Sequence, residues 1–147
     1  MSSYLRRRTV VIGGLGFIGR HVTDRLRADG AVVTVVTRSL AEHRDAAAAV
    51  SAAGVMLVEG DLRDQAAMAA AVRGQDVIFN LAGQSGAVRS MDDPYTDLDV
   101  NVRGNLVLLD AMRTENPGGK LVFVSSRLAY GSGGHDSIDE QRVPDPL

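Results

Sequence analysis

Cysteine and tryptophan are absent from the 147 residues, and Lys120 is the only lysine among 16 basic side chains. Without cysteine there is no disulfide framework and no thiol chemistry. No apolar run approaches the ~18 residues of a membrane span, and no apolar stretch with a small-residue cleavage site opens the chain. A net charge of −2 argues against a nucleic-acid footprint; the only basic run, Arg6-Arg7-Arg8, precedes the first apolar run and reads as a solvated tail. His21, His43 and His135 lack metal-ligand spacing and read as structural or exposed, so no metal is expected. Neither is a nucleophile elbow, for want of a Gly-x-Ser-x-Gly sequence. What remains is one domain's worth of ordinary globular composition, expected to work in the cytoplasm as an enzyme or part of one.

Short β-branched runs alternate with longer helical stretches. Thr9 to Ile12, Val32 to Thr37, Val55 to Val58, Asp76 to Leu81 and Lys120 to Ser125 read as strands, the first two continuously apolar as in strands buried on both faces. Helices are expected from Phe17 to Asp29, closed by Gly30, and from Leu40 to Ala53, closed by Gly54. A third runs from an N-cap at Asp64 to Arg73. A long helix is expected over Asp93 to Glu115, begun by acids around Pro94 and ended by Asn116-Pro117-Gly118-Gly119. Leu98, Val102, Leu106 and Leu109 would be its core-facing stripe. Such alternation implies βαβ units with right-handed crossovers. The fold class is therefore α/β, a doubly wound parallel sheet of the Rossmann type in the order 3-2-1-4-5. Residues 1–130 form that domain, and 131–147, rich in Gly, Asp and Pro, form a loop.

Gly13-Gly14-Leu15-Gly16-Phe17-Ile18-Gly19 lies between the first strand and the first helix. Gly13, Gly16 and Gly19 fit a dinucleotide fingerprint: Gly13 for the tight turn, Gly16 for approach to a pyrophosphate, Gly19 for close helix packing. Free amides at the helix start would face the phosphates. Phe17 and Ile18 are assigned to the same cofactor contact region, with their side chains turned away to anchor the helix on the sheet. No Gly-Lys-Ser/Thr follows, which excludes a Walker loop.

The second strand ends Val36-Thr37-Arg38-Ser39. Thr37 stands where an acid would accept from a ribose 2′-hydroxyl, and Arg38 can pair with a 2′-phosphate. The cofactor is NAD or NADP, and Arg38 favours NADP; an arginine stacked on adenine is the rival reading. Asp61 and Leu62 are expected at the adenine, with helix capping the alternative for Asp61. Leu81, Ala82 and Gly83 end the fourth strand where a cofactor would pass.

The Gly13–Gly19 turn, Gly60-Asp61-Leu62, Asn80-Leu81-Ala82-Gly83, Asp99-Val100-Asn101-Val102-Arg103-Gly104 and Val124-Ser125-Ser126-Arg127-Leu128-Ala129-Tyr130-Gly131 stand in one order along the chain. Together they resemble the extended short-chain dehydrogenase/reductases, in particular the NAD(P)-dependent sugar-nucleotide epimerases and dehydratases. The resemblance implies a nucleotide-sugar substrate and a hydride transferred transiently. It implies that Ser126 hydrogen-bonds the reacting hydroxyl, that Gln84 and Ser85 border the substrate, that Ser125 contacts the cofactor, and that Asn101 stabilises the long helix beside it. Asn80 and Gly83 depart from the family's commoner histidine and alanine, and Arg127 is bulkier than usual.

The family's chemistry also implies a Tyr-x-x-x-Lys pair, in which the lysine lowers the phenol pKa from ~10. Tyr4, Tyr95 and Tyr130 are followed at that spacing by Arg8, Asp99 and Gly134, and Lys120 is preceded by Asn116. The expectation is therefore an N-terminal part of a longer enzyme, truncated before the catalytic helix, later strands and C-terminal lobe, and inactive alone. The alternatives are a non-catalytic dinucleotide-binding module, a half completed by another chain, and a ketone or steroid reductase. A homodimer is expected through the long helix or through an exposed, apolar fifth strand.

Overall fold

The computed structural model describes residues 3–131 and 138–146; His135 lies outside them. Five parallel strands, β1 (Arg8–Ile12), β2 (Val32–Thr37), β3 (Met56–Glu59), β4 (Val77–Asn80) and β5 (Lys120–Phe123), form one sheet. Their order is β3-β2-β1-β4-β5, as the alternation implies. Val10 pairs with Thr34 on one side and Ile78 on the other, placing β1 at the centre.

Alternation along the strands explains the continuous apolar runs. Val10 and Ile12 face one core with Val36, Met68, Val72, Ile78 and Leu108. Val11, between them, faces the other with Val35, Leu26, Val50 and Phe79. Period-2 geometry thus needs apolar residues at both parities when helices cover both faces. The first face is covered by α3 (Gln65–Val72) and α6 (Gly104–Glu115), the second by α1 (Phe17–Ala28) and α2 (Arg44–Ala52). Asp64 caps α3, its carboxylate accepting from the amides of Ala66 and Ala67, and a 3-10 turn, Ala41–His43, precedes α2.

The helix expected from Asp93 is interrupted. Asp93 caps α5 (Pro94–Leu98) through the Thr96 amide, a π turn follows over Asp99–Arg103, and α6 completes the run. A short helix unforeseen in the sequence, α4 (Ala87–Asp92), precedes it. Leu98, Val102, Leu106 and Leu109 do not face the core: they are exposed, Leu106 by 61 %. The buried face is Gly104, Leu108, Ala111 and Met112. Both sets have helical spacing, so periodicity alone does not choose between them. The π turn also adds a residue, rotating everything beyond it by about 100°. Small Gly104 settles the choice, because Leu62 packs where its side chain would stand.

Phe17 and Ile18 require a second correction. They are 77 % and 54 % exposed and anchor nothing to the sheet; Gly19, Thr23 and Leu26 are the buried residues of α1, and Leu15 is buried just before it. The basic run is exposed but is no tail. Arg8 begins β1, Arg6 donates to the Gly30 carbonyl and Arg7 accepts from the Val32 amide. Among the described residues β3 and β5 are the sheet edges, and Val122 and Phe123 of β5 and Val124 just beyond it are exposed.

Candidate functional site

All five strands end on one rim, where open α/β sheets bind ligands. Two clefts open there, divided by the turn after β1. One, of about 230 Å³, lies beside the ends of β2 and β3; the other, of about 650 Å³, lies beside the ends of β4 and β5. Gly13 and Gly16 line both. A larger recess, of about 800 Å³, opens at the amino ends of β1, β4 and β5, away from the glycine turn.

The turn is built by close approach. Gly13 has φ +81°, and a Cβ there would come within 2.9 Å of the Ala82 nitrogen. A methyl on Gly19 would overlap the Gly13 carbonyl oxygen, so α1 starts pressed against the turn. The Gly13 amide donates to the Val36 carbonyl, the Gly16 amide donates to the Gly13 carbonyl, and Arg20 closes the first helical bond on Gly16. Among the described residues the amides of Phe17, Ile18 and Gly19 make no other main-chain bond outside their helix. These are the orphan donors of a helix mouth, at the positive end of its dipole.

Thr37, Arg38, Asp61 and Leu62 line the β2-side cleft, and Leu81, Ala82 and Gly83 line both. Asp61 does not cap α3, which is Asp64's part. Its carboxylate is held instead by Arg63, whose nitrogens lie 2.9 Å from Oδ1 and 2.6 Å from Oδ2. That ion pair pulls the Asp61 pKa down to about 2 despite partial burial, which opposes the shift. Glu42 and His43 also border this cleft; they sit in a 3-10 turn that helical periodicity does not reveal.

Phe17, Ile18 and Gly19 line the β5-side cleft with Gln84, Ser85, Asn101, Ser125 and Ser126. The Ser126 hydroxyl accepts from the Leu128 amide at 3.2 Å, capping a 3-10 turn over Arg127–Tyr130 and leaving its own proton to donate. Asn101 lies inside the π turn. Its Oδ1 accepts the Gln84 amide and its Nδ2 donates to the Gln84 carbonyl and to Asp97. Asn105 donates to the Asn101 carbonyl and accepts from Asn80 at the end of β4. The turn thus fastens the loop after β4 to the long helical run. Among the described residues no acidic or histidine cluster could hold a metal, and no helix is long and apolar enough to cross a membrane.

Comparison with known proteins agrees with this geometry. The NAD dependent epimerase/dehydratase family model matches residues 9–147. The chain belongs to that family. It is 32 % identical over 127 residues to a dTDP-glucose 4,6-dehydratase of Mycobacterium tuberculosis, covering 84 % of this chain and 38 % of the relative. To a UDP-glucose 4-epimerase of Mycolicibacterium smegmatis it is 38 % identical over 109 residues, covering 72 % and 34 %. Among solved structures, a dTDP-glucose 4,6-dehydratase of Streptomyces venezuelae with NAD bound superposes with TM-score 0.80 at 33 % identity, covering 95 % of this chain and 45 % of that one. A UDP-glucose 4-epimerase of Stenotrophomonas maltophila with NAD and formylated UDP-arabinopyranose gives 0.80 at 28 %, covering 96 % and 43 %. The chain therefore spans about two fifths of the length of these epimerase/dehydratase relatives.

Proposed function

We propose that this chain is the cofactor-binding part of a nucleotide-sugar epimerase or dehydratase, with a nicotinamide dinucleotide laid across both clefts and its diphosphate at the Gly13–Gly19 turn. The observation that carries the reading is the turn itself. Its glycines leave no room for a Cβ against Ala82 or the Gly13 carbonyl, while the helix-mouth amides, without a main-chain partner outside their helix, are donors for an anion. Adenosine would occupy the β2-side cleft, between Arg38 and Asp61-Leu62. The nicotinamide and the sugar would share the β5-side cleft, near Gln84, Ser85, Ser125 and Ser126.

When bound, the cofactor supplies a reversible hydride acceptor, so oxidation of a sugar hydroxyl is undone within one turnover. Ser126 would donate its hydroxyl proton to the reacting oxygen and orient it. Asn101 keeps the Gln84 loop in place beside the same cleft. The Tyr-x-x-x-Lys pair of the family's chemistry occurs nowhere in the 147 residues, so these residues alone are expected to bind nucleotide without turnover. Arg38 favours NADP through a charge-assisted fork on a 2′-phosphate, whereas Glu42 on the same cleft favours an unphosphorylated ribose. A nucleotide-sugar partner and a second copy of the chain, docked through the exposed stripe of the long helical run or through the β5 edge, complete the reading.

Calorimetry with NAD and NADP tests it directly. Saturable binding of at least one, weakened more than about tenfold by Gly13→Val, is the expected result. Absence of heat with both nucleotides in a folded sample overturns it.

A further inference from the structure

Arg63 lies behind the β2-side cleft and reaches two elements at once. Its main-chain N–H and Nε each donate to Asp61 Oδ1 at 2.9 Å, and Nη2 donates to Oδ2 at 2.6 Å. Nη1 donates to Asp99 Oδ2, also at 2.9 Å. Asp99 opens the π turn, and its Oδ1 is taken by Arg103 at 2.6 Å. Two residues on, Asn101 holds the Gln84 loop. One guanidinium therefore joins the wall of one cleft to the support of the other.

We propose that Arg63 is a positioning residue of the adenosine site, holding the Asp61 carboxylate in the single orientation that can read the exocyclic amine of the base. This rests on the dinucleotide reading above. A carboxylate offers about four acceptor positions. Arg63 takes two on Oδ1 and one on Oδ2, so the free position left on the carboxylate belongs to Oδ2. The planar fork fixes the carboxylate plane, which a point charge on a flexible stem does not. Leu62 is buried against Gly104, fixing the backbone between the two partners. The same ion pair keeps Asp61 ionised far below neutrality, so the group presents an acceptor and never a hydroxyl donor.

The test compares NAD with nicotinamide hypoxanthine dinucleotide, whose base carries a carbonyl in place of the amine. Calorimetry on the full-length protein should show wild type preferring NAD by about tenfold, the size of one hydrogen bond to a charged acceptor. In Arg63→Met the preference should fall below about twofold, and Arg63→Lys should lie between. A loss of folded protein alone would weaken both nucleotides equally and leave the ratio unchanged. An unchanged ratio in Arg63→Met overturns the inference, as does an unchanged ratio in Arg63→Lys if the methionine variant fails to fold. Equal affinity of wild type for both nucleotides also overturns it while leaving dinucleotide binding intact. Wild type binding neither overturns the dinucleotide reading itself.

Discussion

Asn101 grips Gln84 with both ends of its amide: Oδ1 accepts the Gln84 N–H and Nδ2 donates to the Gln84 carbonyl, each at 2.8 Å. A side-chain amide here substitutes for a neighbouring strand, satisfying a loop backbone that leaves the sheet at the β5-side cleft. Asn101→Ala strands both Gln84 groups in a half-buried setting. The expected cost is about 2 kcal/mol, from two unpaired backbone groups partly rescued by water. Urea unfolding measures it, and amide exchange at Gln84 should rise before global unfolding.

Gly19 lies against the Gly13 carbonyl, whereas Gly118 has nothing within 4 Å of its missing Cβ. Gly19→Ala should therefore cost more than about 2 kcal/mol and weaken dinucleotide binding, since the turn must move to admit one methyl. Gly118→Ala should change stability by less than about 0.5 kcal/mol. Thermal unfolding of the pair isolates close approach from the generic effect of replacing glycine.

Asp61 titrates at about 2 in the fold against an ordinary 3.8. A depressed carboxylate contributes stability above its unfolded pKa and loses it as pH falls through the folded value. The contribution is thus complete above about pH 4 and fades toward pH 2. Asp93, held by Thr96, and Asp99, held by Arg103 and Arg63, are lowered as well and add in the same direction. Denaturant midpoints between pH 5 and pH 2.5 should fall less steeply in Asp61→Asn than in wild type, with the two curves converging in acid.

The sheet was legible because parallel strands buried on both faces leave unbroken apolar runs, and glycines mark where they stop. The lining of the two clefts was legible for a related reason: residues of the carboxyl rim stand at or just past the end of each strand, so Thr37, Asp61, Leu81 and Ser125 could be placed by counting. Helix orientation was not. Leu106, Leu108 and Leu109 are close in sequence, yet only Leu108 is buried, and the choice depends on Gly104 meeting Leu62 and on a π turn that no periodicity announces. The bond from Arg63 to Asp99 was invisible as well, since the two are 36 residues apart.

Arg38 follows the end of β2 and lines the smaller cleft together with Glu42. On the dinucleotide reading proposed above the two charges would compete for the ribose 2′-position: a phosphate there would pair with the guanidinium, a hydroxyl would donate to the carboxylate. Arg38→Ala should weaken NADP about tenfold and NAD by less than threefold, measured by calorimetry at fixed ionic strength because the phosphate contact is screened by salt. Equal losses would assign Arg38 to the shared adenine instead.

Leu98, Val102, Leu106 and Leu109 are exposed along the long helical run, outside the buried set Gly104, Leu108, Ala111 and Met112. Isolated exposed apolar residues are unremarkable, but Leu106 and Leu109 stand one turn apart on α6, with Leu98 and Val102 exposed just before it, a concentration of the kind that pairs helices. The β5 edge, with Val122, Phe123 and Val124 exposed, offers a competing surface whose unpaired backbone would add a strand rather than a helix. Charge on each surface separates them. Leu106→Glu with Leu109→Arg leaves the buried face and both clefts untouched, so folding and nucleotide binding should persist while a dimer in sedimentation equilibrium becomes a monomer. Val122→Lys should leave the same dimer intact. The opposite pattern would move the interface to the sheet edge, and a wild-type monomer at micromolar concentration would exclude both surfaces as stable self-contacts.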